Sequence, residues 1–162
     1  MKVKNHRRLN YLMEEAGRIA SENVDLSIGG PFGALIVLKD KIIGTGTNRV
    51  TIDNDPTAHA EIVAIRDACA YQGTFNLSGA ELFSSCEPCP MCLSAIYWSR
   101  IDKVYYGNSR WDASKIGFDD ADLYAEFDKR SSERRVKMIH VSNAVVKESF
   151  KKWLEKEDKI PY

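Results

Sequence analysis

The chain has 162 residues, 44% of them hydrophobic and 28% charged, with 23 basic residues balancing 23 acidic ones. This excludes a fibrous or disordered protein and fits one domain that buries its core without disulfide staples. A net charge of zero argues against broad binding to a nucleic-acid backbone, and no apolar run is long enough to cross a bilayer.

The first helix is predicted over residues 5–23, where Leu9, Leu12, Met13, Ala16, Ile19 and Ala20 recur at helical spacing. Its basic start lacks the apolar core of a secretory signal, so the expected location is cytoplasmic. In that reducing compartment the four cysteines read as metal ligands or core residues. Gly29-Gly30-Pro31 breaks the helix into a loop. Residues 34–38 and 42–47 read as two strands joined by a tight turn at Lys39-Asp40-Lys41. A polar loop over 48–56 leads to Thr57, a good N-cap, and a helix over 58–71. A short strand follows at 81–85. Pro88 then opens a helix that continues over 89–99. Residues 103–106 form another strand, 111–127 are irregular with helical pieces, 137–141 form a last strand, and 145–156 a terminal helix. Lys129, Arg130, Arg134, Arg135 and Lys137, interrupted by Asp128 and Glu133, read as a solvated surface loop. Strands alternating with helices argue for a layered α/β domain, and the opening hairpin makes its sheet mixed.

Two segments carry the chemistry, Thr57-Ala58-His59-Ala60-Glu61 and Cys86-Glu87-Pro88-Cys89-Pro90-Met91-Cys92. Zinc prefers tetrahedral nitrogen and sulfur ligands, and a catalytic zinc keeps one position open for water. His59, Cys89 and Cys92 supply three ligands. Cysteines three apart on one helical turn share a face, and the helix N-terminus favours their thiolates. Glu61 is placed for proton transfer rather than as a ligand. H-x-E joined with P-C-x-x-C is the signature of zinc nucleobase deaminases. One alternative is a closed site in which Cys86 is a fourth ligand; Pro88 argues against it by separating a strand end from a helix. Another is a zinc-stabilised binding module without activity, from which Glu61 discriminates, because a structural site needs no carboxylate. Cys69 reads as core, and His6 and His140 as surface or core histidines.

At these residues the chain resembles the cytidine deaminase-like superfamily and, within it, the bacterial guanine deaminases. The likeness runs from Gly29-Gly30-Pro31-Phe32-Gly33 to Tyr162. It is densest in Asn54-Asp55-Pro56-Thr57-Ala58-His59-Ala60-Glu61, across residues 86–98 and in Gly117-Phe118-Asp119-Asp120. It implies a three-layer α/β/α sandwich with a central five-stranded mixed sheet. It implies one domain over 1–162, with 143–162 as a C-terminal helix and tail over the active site. It also implies one Zn2+ per subunit and a homodimer that swaps its C-terminal segment. The implied reaction is hydrolysis of the purine base guanine, at C2, to xanthine and ammonia, in purine catabolism or salvage. By position, Glu61 and Asp120 resemble proton-handling carboxylates, Asn48 the amide on the purine carbonyl, Phe32 a stacking face and Tyr162 a lid. Trp98 is pocket wall or core. From the residues alone, Asn48 could equally cap its loop, Phe32 could be core, and Asp120 a helix cap or surface charge. The tail over 155–162 is more charged than the family pattern.

Close rivals are a tRNA adenosine deaminase, which shares both motifs but tends to be basic, and a deaminase of guanosine or another aminated heterocycle. Cytidine deaminases resemble the chain less, because they usually offer a cysteine at the His59 position. The deaminase domain of riboflavin synthesis is similar in motif but is followed by a reductase-sized region.

Overall fold

The computed structural model describes residues 2–118 and 120–161, with the backbone alone for residues 2–4, 120 and 121. Tyr162, and the side chain of Asp120, therefore lie outside the described residues. The chain divides into two compact units, residues 1–124 and 125–162.

In the first unit the elements run α1 (Lys2–Asp25), β1 (Gly33–Leu38), β2 (Lys41–Thr47), α2 (Val50–Asp53), α3 (Ala60–Gln72), β3 (Glu81–Cys86), α4 (Pro90–Trp98), β4 (Lys103–Asn108) and α5 (Arg110–Lys115), and α6 (Asp120–Asp128) spans the boundary. The strands lie in the order β2-β1-β3-β4, antiparallel except for the parallel β3–β4 pair. The hairpin turn needs only Lys39 and Asp40, both at positive φ, which suits the right-handed twist of the flanking strands. Side-chain alternation along the buried strands divides the core. Leu35, Val37 and Phe83 meet Leu12 and Ala16 of α1 on one face. Ala34, Ile36 and Leu82 meet Ala64, Ile65 and Ala68 of α3 and Ile96 of α4 on the other. The result is the three-layer α/β/α arrangement.

What seats α3 on the sheet is an absence of side chains. A Cβ at Gly46 would fall 2.1 Å from the Ala60 carbonyl oxygen, and one at Gly44 would fall 2.5 Å from that of Ala64. Glycines on β2 opposite alanines on α3 let the two backbones approach to near contact. This spacing fixes the height of the α3 N-terminus above the sheet.

The second unit holds a 3-10 turn (Ser131–Glu133) and α7 (Ala144–Glu155). The fifth strand expected at 137–141 is absent: among the described residues the sheet has four strands, and this segment carries no regular structure. Val136, Met138, Ile139 and Val141 are all exposed. The segment has the β-branched composition of a strand, but a strand exists only through a ladder, and no other strand lies in its unit. Among the described residues no helix is long and apolar enough to cross a membrane.

Gly46→Ala is expected to push α3 off β2 and to cost about 2–3 kcal/mol. Urea unfolding checks this; an unchanged midpoint would show that the close contact does not hold the layers.

Candidate metal centre and cavity

Both chemical motifs start their helices two residues later than the sequence suggests, and the shift creates the site. Thr57 does not cap α3. Its N–H and hydroxyl both donate to the Asp55 carboxylate, at 2.8 and 2.7 Å, in a local turn. The N-cap is His59, extended at ψ 155°, and its carbonyl accepts the first helical bond from Val63. Likewise Pro90, not Pro88, opens α4, which leaves Cys89 extended at the N-cap with ψ 168°. Neither side chain bonds the N–H groups of its own helix. The two positions that usually cap a helix are turned to face each other instead.

The His59 Nδ1 lies 3.6 Å from the Cys89 Sγ. The ligand atoms of His59, Cys89 and Cys92 all lie within 4.8 Å of one another, and they form the one such three-residue group among the described residues. Tetrahedral zinc with ordinary bond lengths to nitrogen and sulfur separates those atoms by about 3.6 Å, so the residues fit the ion. Cys89 and Cys92 are almost fully buried. Cys86 is buried too, but its sulfur faces the Ser109 carbonyl at 3.7 Å, outside the cluster. Three ligands, with the fourth direction open, is the donor set of a catalytic rather than a closed structural site. His6 and His140 are exposed.

The two sulfurs titrate as one acid. The hydrogen bond from Cys92 holds Cys89 well below the ordinary thiol range, with help from His59. The same pairing, with burial, pushes Cys92 far above the ordinary thiol range. One proton leaves readily and the second does not, unless a cation occupies the cluster. Glu61, in the first turn of α3, is 5% exposed. Its carboxyl accepts from Ser84 Oγ at 3.3 Å and from Cys92 at 3.5 Å. Burial raises its pKa to about 7.

Beside this cluster lies a cavity of about 300 Å³, lined by His59, Glu61 and Cys89 of the two motifs together with Gly29, Gly30, Phe32, Asn48, Val50, Thr51, Cys86, Glu87 and Phe118. Of the residues singled out in the sequence, Phe32 and Asn48 line it together with the metal group. The Asn48 oxygen accepts weakly from the N–H groups of Gly30 and Val50, both at 3.4 Å, which leaves its NH2 to donate. A Cβ at Gly29 would fall 2.2 Å from the Asn48 carbonyl, so only glycine lets this loop lie so close. Asn23, 1% exposed, bridges the Gly30 and Asn48 carbonyls, each at 2.9 Å. Trp98 does not line the cavity. It ends α4, about 12 Å from the ligand end, and is 63% exposed.

Sequence reasoning missed Phe118 and Glu87 as cavity residues. Phe118 meets Phe32 edge to face, with centroids 4.7 Å apart and planes at 84°. Its wall position depends on the turn at Gly117, where φ is 96°; the flanking Gly117 was the only local signal.

The model of the cytidine and deoxycytidylate deaminase zinc-binding region matches residues 6–108. The chain is 45% identical to the guanine deaminase of Bacillus subtilis, over 93% of this chain and 96% of that one. The crystal structure of guanine deaminase from Bacillus subtilis superposes with a TM-score of 0.91 at 44% identity, covering 94% of this chain and 98% of that one. A tRNA-specific adenosine deaminase of Buchnera aphidicola is 44% identical, but over 67% of this chain and 64% of its own length.

His59→Ala is expected to lose stoichiometric zinc; full zinc by elemental analysis would refute the ligand set. A second expectation concerns pH. In zinc-stripped protein the folded Glu61 keeps its proton up to about pH 7, whereas an exposed glutamate loses it near 4.5. The raised pKa contributes stability that is fully present below 4.5 and lost as pH rises through 7. The stability difference between Glu61→Gln and the parent should therefore move in the variant's favour between pH 4.5 and 8. Equal differences in urea midpoint at both pH values would contradict the burial of an ionisable carboxyl.

Proposed function

The chain belongs to the cytidine and deoxycytidylate deaminase zinc-binding family, and on that premise we propose that it is a guanine deaminase, hydrolysing guanine to xanthine and ammonia. The observation that carries the chemistry is a buried carboxylate, Glu61, beside a three-ligand metal group at the base of a cavity large enough for one purine. The substrate is carried by the nearly full-length kinship with a guanine deaminase, since the tRNA-specific relative matches only two thirds of the chain.

Zinc held by His59, Cys89 and Cys92 supplies activation of a water at neutral pH. Glu61, buried beside the ligand group, would accept a proton from the attacking water and return protons to the ring nitrogen and the departing amine. Across the reaction the C2–N bond breaks, a C2–O bond forms, and the amine leaves as ammonia. The Asn48 NH2 donates to the purine carbonyl, and Phe32 with Phe118 provides aromatic surface for the ring. Asp120 serves as the second carboxylate near the amino group and Tyr162 as the lid, both by resemblance alone.

The enzyme acts as a cytoplasmic homodimer, with residues 1–162 as one functional domain and 143–162 closing a pocket of the partner subunit. Support comes from α7 and the segment before it, whose Val141, Val145, Val146, Phe150 and Leu154 are exposed; such apolar surface marks an interaction face. The zero net charge disfavours a structured RNA substrate.

Purified protein incubated with guanine, guanosine, adenine, cytosine and a tRNA anticodon stem-loop should release ammonia fastest from guanine. Faster release from the stem-loop would reassign the substrate. Glu61→Gln should keep zinc and fold while losing roughly a hundredfold or more in kcat; full turnover in that variant would remove Glu61 from the mechanism.

A further inference from the structure

The turn that carries the first cysteine ligand is gripped from outside the metal centre. The Glu87 N–H donates to the Asn108 carbonyl at 2.8 Å. The Glu87 carboxylate accepts from the Arg110 backbone N–H at 3.0 Å and from the Arg110 guanidinium at 2.9 Å. That guanidinium lies 4.0 Å from the centroid of the Tyr124 ring. The Tyr124 hydroxyl then donates to the Pro88 carbonyl at 2.7 Å. The four groups close a loop: Glu87 to Arg110, Arg110 to Tyr124, Tyr124 back to Pro88.

The two gripped residues, Glu87 and Pro88, stand directly before Cys89. The two gripping residues, Arg110 and Tyr124, flank the segment that places Phe118 on the cavity wall. The Cys86 thiol adds a weaker tie to the same segment, donating to the Ser109 carbonyl at 3.7 Å. Ser109 anchors the near end of the segment, capping α5 through reciprocal bonds with Asp112.

We propose that Arg110 and Tyr124 are positioning residues for the deamination, holding the Phe118 wall at a fixed distance from the metal-ligand turn through Glu87 and Pro88. Neither needs to touch the substrate. This rests on the reading of the cavity as a guanine-deaminating site. If the clamp sets the width of the cavity, loosening it weakens the grip on the purine ring more than it slows the chemical step.

The test uses the zinc-loaded full-length protein and its Tyr124→Phe, Arg110→Ala and Arg110→Lys variants. Tyr124→Phe keeps the ring beneath the guanidinium and deletes one hydrogen bond. It should retain full zinc and its melting midpoint, while the KM for guanine and the Kd for xanthine, read by calorimetry, rise together by roughly three- to tenfold. Arg110→Ala should raise both further. Arg110→Lys should not restore them, because lysine neither stacks as a plane nor presents a fork. The proposal is overturned if KM and xanthine Kd stay within about twofold of the parent in the folded variants. It is also overturned if activity falls only in step with zinc content. Should Arg110→Ala not fold, Tyr124→Phe decides. A parent that releases no ammonia from guanine fails the functional reading alone, and the clamp is then judged on the ring of the substrate panel that it does deaminate.

Discussion

Two helix N-termini aimed at one point cannot both be capped by their own side chains. His59 and Cys89 hold the N-cap positions of α3 and α4, and each turns its side chain toward the other. The helix ends favour negative charge, yet once Cys89 is ionised it opposes the ionisation of Cys92. A divalent cation resolves that conflict, since it meets both thiolates and the imidazole at once. The rest of the unit serves this junction. The sheet sets where the two helices begin, and the cavity lies in the direction the three ligands leave open.

The parts of this arrangement legible in the sequence were those written in local spacing. Cys89 and Cys92 stand one helical turn apart, His59 and Glu61 open a helix, and the continuous apolar run over residues 34–38 marks a strand buried on both faces. The exact helix starts were not legible, because a turn around Asp55 takes up Thr57 and because two prolines compete to open α4. The strand expected at 137–141 fails for a related reason. Its side chains suit a sheet, but ladder pairing is a long-range property that composition does not encode.

The cavity walls were legible only in part. Phe32 and Asn48 sit at strand ends, and Phe32 also follows the Gly29-Gly30-Pro31 turn. Glu87 carries no such mark and Phe118 only the flanking Gly117, since their roles follow from partners distant in sequence: Arg110 for one, Phe32 for the other. Trp98 lies within a segment dense in family motif and yet does not line the cavity of its own chain.

The glycine–alanine contact between β2 and α3 has a consequence for how such a protein can change over generations. A backbone-to-backbone seam leaves no room for any side chain at Gly44 or Gly46, so substitution there must move the helix that carries Glu61. The loops at 29–32 and 48–51 and the turn at 117–118 bear walls of the cavity and sit apart from that seam. Change in the cavity walls can thereby be absorbed by loops, while change at the seam displaces a whole helix and the metal-ligand group at its start.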